Sequence, residues 1–227
     1  MKFKTFFSFS MLDKEEKPYL NTTAAIEYHG KAKSAIKSNV LIQKLLNRAA
    51  ITGDSGTIKF LQDSKAEQIE DLKINESLLL AIENGHEESS IVLIEWLGNG
   101  LSVQVDPETK DTFLHFAALK GQTKTCAALL KNNPDLDIDL KNRNKSTALH
   151  CAVASGNLDT VRILLDSGAS IKIKNNHKNT PISLAKLHNQ QQILSLLENF
   201  DNHDKLEKIP MSDPLAPPSS ERISRIE

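Results

Sequence analysis

The sequence predicts an all-α repeat solenoid, a stack of helix-turn-helix units with an N-terminal helical cap and a disordered C-terminal tail. Three observations carry this. The chain repeats itself: His115 and His150 stand 35 residues apart, as do Gly121 and Gly156, and Thr147 and Thr180 stand 33 apart. A period in this range marks stacked structural units. Within "NLDTVRILLDSG", Leu158, Val161, Leu164 and Leu165 recur at i, i+3, i+6 and i+7, an apolar stripe at helical period. The composition is 39% hydrophobic, 25% charged and only 5% aromatic, which suits a soluble fold with an aliphatic core.

The elements follow in order. Residues 1–21 are expected to be a mobile segment. Phe3, Phe6, Phe7 and Phe9 form a short apolar patch, but threonine and serines interrupt it and Asp13, Lys14, Glu15, Glu16 and Lys17 follow. That is not the pattern of a cleaved signal. A docking or membrane-touching role for the phenylalanines is the alternative. Residues 22–39 read as an N-terminal capping helix, started by Thr22 or Thr23.

Residues 40–200 hold about five repeats. "LNRAAITGDSGTIKFLQDS" aligns without a gap to "LHCAVASGNLDTVRILLDS", which places Ala49, Ala50, Gly53 and Ile58 at matching positions. The second repeat carries Ala81, Gly85 and a Leu97-Gly98 ending, and runs on to Gly100. The third reads Thr112-Phe113-Leu114-His115, Ala117-Ala118, Gly121, Leu129-Leu130. The fourth reads Thr147-Ala148-Leu149-His150, Ala152-Val153, Gly156, Leu164-Leu165, Gly168-Ala169. The fifth reads Thr180-Pro181-Ile182-Ser183, Ala185, Asn189, Leu196-Leu197. Its second half surrounds a thin stripe with Gln190, Gln191, Gln192, Ser195 and Glu198, as an end repeat facing water requires. Residues 201–227 are expected to be a disordered tail, since "KIPMSDPLAPPSSERISRIE" has four prolines, four serines and no stripe.

Each residue type has a physical task. Thr147 stands where a helix needs an N-cap oxygen. Ala152 and Val153 are small enough for neighbouring first helices to approach closely. Gly156 can end the helix in the left-handed conformation. One helix pair cannot bury its apolar face alone, so several must fold together.

The pattern Thr-x-Leu-His-x-Ala-small-x-x-Gly, then a helix ending in Leu-Leu, resembles the ankyrin repeat, best at residues 142–169 and over roughly residues 40–199. The resemblance implies that His115 and His150 tie their repeats to the next by hydrogen bonds. It also exposes a departure. Where the family turn has glycine, this chain has Lys110, Lys145 and Lys178. Either those turns take another geometry or lysine accepts the strain of positive φ.

Catalytic readings are weak. His150 and Cys151 are neighbours on a helix and point about 100° apart, which works against a nucleophile–base pair. Cys126 takes an apolar helix position and reads as core, and Trp96 reads as packed in the irregular second repeat. The remaining histidines lack metal-ligand spacing, and no Gly-rich phosphate loop exists, so no cofactor is expected. Two cysteines do not make a disulfide framework, which suggests reduced thiols and a cytoplasmic setting. The net charge of -1 gives no field for nucleic acid, and no apolar run spans a membrane.

What remains is a non-enzymatic protein-binding module, expected to be a monomer. The alternatives are a membrane-docked adaptor or a regulatory subunit of an enzyme. The resemblance places partner contacts on the concave side, at turn tips and exposed first-helix residues. These are Glu108, Thr109, Asp111, Leu119 and Lys120 in the third repeat, and Arg143, Asn144, Ser146, Ala154 and Ser155 in the fourth. In the fifth they are Asn176, His177, Asn179, Leu187 and His188. Glu83, Asn84, Ile51 and Thr52 extend the strip. Leu119 and Leu187 are apolar where solvent is expected. Lysine outnumbers arginine 23 to 5 and there are 17 asparagines. That bias, with the tail composition, is similar to ankyrin-repeat effectors that intracellular bacteria secrete into a host cell to act on host proteins.

Overall fold

The computed structural model describes residues 39–64, 72–98, 101 and 105–207. The expected segment 1–21 and capping helix 22–39 lie outside the described residues, except that Asn39 opens the first helix. Among the described residues ten helices make five antiparallel pairs. They are α1 (Asn39–Thr52) with α2 (Ser55–Asp63), α3 (Ile74–Glu83) with α4 (Glu87–Leu97), and α5 (Phe113–Leu119) with α6 (Thr123–Asn132). Then come α7 (Ala148–Ser155) with α8 (Leu158–Asp166), and α9 (Pro181–Leu187) with α10 (Gln191–Glu207). First helices pack side by side in the order α1, α3, α5, α7, α9, and second helices pack in the order α2, α4, α6, α8, α10. Contacts therefore run only between neighbours, as in a solenoid.

The core forms where the repeat pattern puts small and aliphatic residues. Ala49, Ala50, Ala81, Ala117, Ala118, Ala152, Val153 and Ala185 are buried between first helices. Ile58, Leu61, Leu93, Leu129, Val161, Leu164, Leu165 and Leu197 supply the second helices' side of the core. Cys126 and Trp96 are buried among them.

Helix starts obey the capping chemistry. Thr112 Oγ1 accepts the His115 backbone N–H at 3.3 Å, and Thr180 Oγ1 accepts that of Ser183 at 3.2 Å. Pro181 opens α9, where its missing N–H costs nothing. Gly156 ends α7 with φ 76°, in the left-handed region.

The second repeat ends at Leu97-Gly98 as its sequence reads, and part of its extra length enters as helix: α4 has 11 residues against nine in α8. One boundary differs from expectation. The last helix runs to Glu207, past the expected start of the tail at 201. No proline or glycine interrupts residues 191–207, and the first breaker is Pro210. A helix already docked through Ile193 and Leu197 extends by one residue at a time at little cost. Residues 208–227 lie outside the described residues.

Candidate partner-binding surface

Two sets of side-chain struts hold the repeats in register. The first is the histidine pair. His115 Nε2 lies 3.0 Å from the Ser146 carbonyl of the next repeat, and His150 Nε2 lies 3.1 Å from that of Asn179. A carbonyl only accepts, so Nε2 carries the proton and donates. That leaves Nδ1 as the acceptor, and it takes the backbone N–H of Thr112 at 3.3 Å or Thr147 at 3.2 Å. Both rings are buried, and burial holds both pKa values below the ordinary 6.5, against the raising effect of those carbonyl bonds.

In the first repeat Gln43 and Asn47 take over this role. Gln43 Oε1 accepts the Lys73 backbone N–H at 2.7 Å, and Asn47 Oδ1 accepts the Ser77 hydroxyl at 2.6 Å.

The second set begins at the residue after each repeat's helix-ending glycine or asparagine. Gln122 Nε2 donates to the Ile82 carbonyl at 2.6 Å, Asn157 Nδ2 to Gly121 at 3.1 Å, and Gln190 Nε2 to Val153 at 2.8 Å. His86 Nε2 meets the Ile51 carbonyl at 2.9 Å. Each strut satisfies a carbonyl at the end of the preceding first helix, where orphan acceptors accumulate. The struts also explain two glycines. A Cβ on Gly53 would sit 2.5 Å from His86 Nδ1, and one on Gly121 would sit 3.0 Å from Asn157 Nδ2. Sequence reasoning missed this set. Its signal was the polar side chain that follows every such glycine.

His150 and Cys151 are engaged elsewhere in the packing. The histidine is bonded at both nitrogens. The Cys151 thiol is pushed up to about 12, first by burial and then by the charge of Asp111. Cys126 is also pushed up to about 12, mainly by burial. Among the described residues no three His, Cys, Asp or Glu side chains converge on a metal-sized site. No described helix is long and apolar enough to cross a membrane.

The turns between pairs form a rigid ridge. Lys110, Lys145 and Lys178 have φ of 59°, 54° and 61°, so the glycine geometry is kept and lysine takes the strain, about 1–2 kcal/mol per residue. A side-chain clamp enforces it. Asn142 Oδ1 accepts the backbone N–H groups of Asn144 and Ser146, both at 3.0 Å. Asn175 Oδ1 accepts those of His177 at 2.9 Å and Asn179 at 3.0 Å. Asp106 does the same for Glu108 at 2.8 Å and Thr109 at 3.3 Å. Adjacent tips are bonded edge to edge: Arg143 N donates to the Thr109 carbonyl at 2.7 Å, and Asn176 N to that of Asn144 at 2.9 Å.

The strip residues divide on this frame. Glu108, Leu119, Lys120, Arg143, Asn144, Ala154, Ser155, Asn176, His177, Leu187 and His188 are exposed. Thr109, Asp111, Ser146 and Asn179 are half-buried and have structural tasks. Asp111 accepts the Asn142 side-chain amide at 2.8 Å, and the other three lend their carbonyls to the neighbouring repeat. Ile51, Glu83, Leu119, Ala154 and Leu187 each stand two residues before the helix-ending position of their repeat. Because first helices pack side by side, these five form one column.

Helix pairs stacked in register, with bonded turn tips and an exposed variable face, define a helical repeat scaffold. The chain belongs to the ankyrin-repeat family: the family model "Ankyrin repeats (3 copies)" matches residues 46–142 and 135–207. No curated protein matches the chain. Ankyrin repeats generally mediate protein–protein interaction.

Proposed function

We propose that this chain is a non-enzymatic scaffold that binds a partner protein along the strip of turn tips and exposed first-helix residues. One observation carries the reading. Among the described residues the exposed large hydrophobics are Ile51, Leu119, Leu187 and Phe200, and the first three share one repeat position. Leu119 is 44% exposed and Leu187 66%, although their helices are otherwise buried on the packed side. Neighbouring helices sit about 8–10 Å apart, so Leu119 and Leu187, two repeats apart, are separated by roughly 16–20 Å. An extended segment of about six residues spans that distance. Covering both leucines contributes about 3–5 kcal/mol, enough to anchor many weaker polar contacts.

Composition favours a finer version: a monomeric effector, translocated by a bacterium and acting on a host protein in the host cytoplasm. The Lys/Asn bias and the Pro/Ser-rich composition of residues 208–227 support it.

Affinity capture with mass spectrometry tests the strip. The native chain is compared with a Leu119→Asp, Arg143→Glu double variant of equal melting temperature. The variant is expected to lose the specific partners. Identical capture by both chains would show that the partner binds elsewhere.

A further inference from the structure

The ridge of turn tips changes charge sign along its length. The tips of repeats three, four and five align on the clamp residues Asp106, Asn142 and Asn175 and on the left-handed residues Lys110, Lys145 and Lys178; Lys141 and Lys174 precede the fourth and fifth clamps, and Arg143 and Asn176 follow them. The edge-to-edge backbone bonds between tips hold them in register. Repeat three is acidic, with Asp106, Glu108 and Asp111 around Lys110. Segments 139–147 and 172–180 hold six lysines and arginines and one acid, Asp139. Asp139 is half-buried and accepts the Ser170 backbone N–H at 2.9 Å. Lys141, Arg143, Lys145, Lys174 and Lys178 are exposed and have no ion-pair partner among the described residues. The whole chain carries a net charge of -1, so this concentration of positive charge is local.

The lysine column adds a second, independent observation. Three consecutive repeats hold lysine in the left-handed conformation, where glycine would be free of strain. A strained residue that the surroundings over-determine points to a use for its side chain.

We infer that the fourth and fifth turn tips recognise an acidic segment of the partner protein, rich in aspartate or glutamate. This rests on the reading of the strip above and names the chemistry of what it binds. The segment lies across Lys141, Arg143, Lys145, Lys174 and Lys178, and the acidic third tip excludes further negative charge at one end. That exclusion limits how far an acidic run can extend along the ridge and disfavours a long uniform polyanion. Among the described residues the exposed large hydrophobics include one aromatic, Phe200, which lies on α10 and not on the ridge, so the described ridge pairs no aromatic stacking platform for bases with its positive charge.

The test uses the full chain and a fluorescein-labelled peptide of alternating glutamate and serine, read by fluorescence anisotropy. Saturable binding is expected, weakening as salt is raised. Replacing the four lysines together (Lys141→Gln, Lys145→Gln, Lys174→Gln, Lys178→Gln) should weaken it about tenfold or more, the sum of several exposed charge pairs. The converse variant, Glu108→Lys, should tighten it. Lys131→Gln with Arg162→Gln, exposed on the second helices and away from the ridge, should leave it unchanged. Equal affinity in the quadruple variant overturns the inference, as does tighter binding of a single-stranded oligonucleotide or phosphatidylserine vesicles than of the peptide. If partner capture depends on Leu119 while the glutamate peptide does not bind, this inference fails and the broader reading stands. If the peptide binds through the lysines while capture ignores the strip, the broader reading fails instead.

Discussion

Replacing Lys145 and Lys178 by glycine should stabilise the protein while removing two of the charges on the ridge. Both lysines sit at positive φ, 54° and 61°. A side chain there costs about 1–2 kcal/mol relative to glycine. Glycine gives part of this back, because it loses about 0.5–1 kcal/mol more conformational entropy on folding. The net gain is roughly 0.5–1 kcal/mol per position, so roughly 1–2 kcal/mol for the double variant, which is about 2–8 °C in a repeat domain of this size. The matched control is Lys145→Ala with Lys178→Ala. Alanine removes the same charges and keeps the Cβ, so it isolates backbone strain from relief of charge repulsion. Thermal and urea melts followed by circular dichroism compare the three chains. If the alanine variant gains as much as the glycine variant, strain is not what the lysines carry. If the glycine variant melts lower than the native chain, the clamp by Asn142 and Asn175 does not hold the turn as described.

The inter-repeat struts give further expectations. His150→Ala strands the Asn179 carbonyl and the Thr147 N–H beside a cavity and should cost about 2–4 kcal/mol, whereas Ser183→Ala, whose hydroxyl bonds within its own repeat to Thr180, should cost about 1 kcal/mol; urea midpoints compare them. The buried histidines predict a pH dependence. Their folded pKa values lie below 6.5, so below that pH the unfolded chain binds more protons, and stability is full above about pH 6.5 and falls as the pH drops through it. Melts between pH 7.5 and 5 should show this loss, and a His115→Gln, His150→Gln chain should show a flatter curve. With both thiols pushed up to about 12, Cys126 and Cys151 should react with a thiol reagent at pH 8 far more slowly than in urea-unfolded chain, by mass spectrometry. Leu119→Ser and Leu187→Ser should each change stability by no more than about 0.5 kcal/mol, since neither side chain is part of the core.

The fold was legible because each repeat restates the same physical requirements. Small Ala152 and Val153, the helix-ending Gly156 and the stripe through Leu164 and Leu165 could be placed before any coordinate. Even the weak first repeat aligned correctly, since Ala49, Ala50 and Ile58 are buried where the alignment puts them. The last helix was harder to bound. Residues 201–207 carry no stripe, and their helix continues from packing established at Ile193 and Leu197, a cooperative effect no local pattern shows.

The proposed binding face was legible only in part. Exposure of Leu119 and Leu187 followed from their repeat position. The half-burial of Thr109, Asp111, Ser146 and Asn179 did not, because it arises from bonds between tips that are distant in sequence. The second set of struts was missed because Gln122 and Asn157 look like ordinary polar surface until their long-range acceptors are known. The lysine column was noticed as a departure from glycine, but its meaning depends on φ, which sequence alone does not supply.

Methyl NMR of the chain with a captured partner tests whether partners bind on the face of turn tips and first-helix ends. The methyl signals of Ile51, Leu119 and Leu187 should shift or broaden on binding, while those of Leu130 and Ile163, on the second helices, should not. Shifts confined to Leu130 and Ile163, with the three strip residues unmoved, would contradict binding on that face.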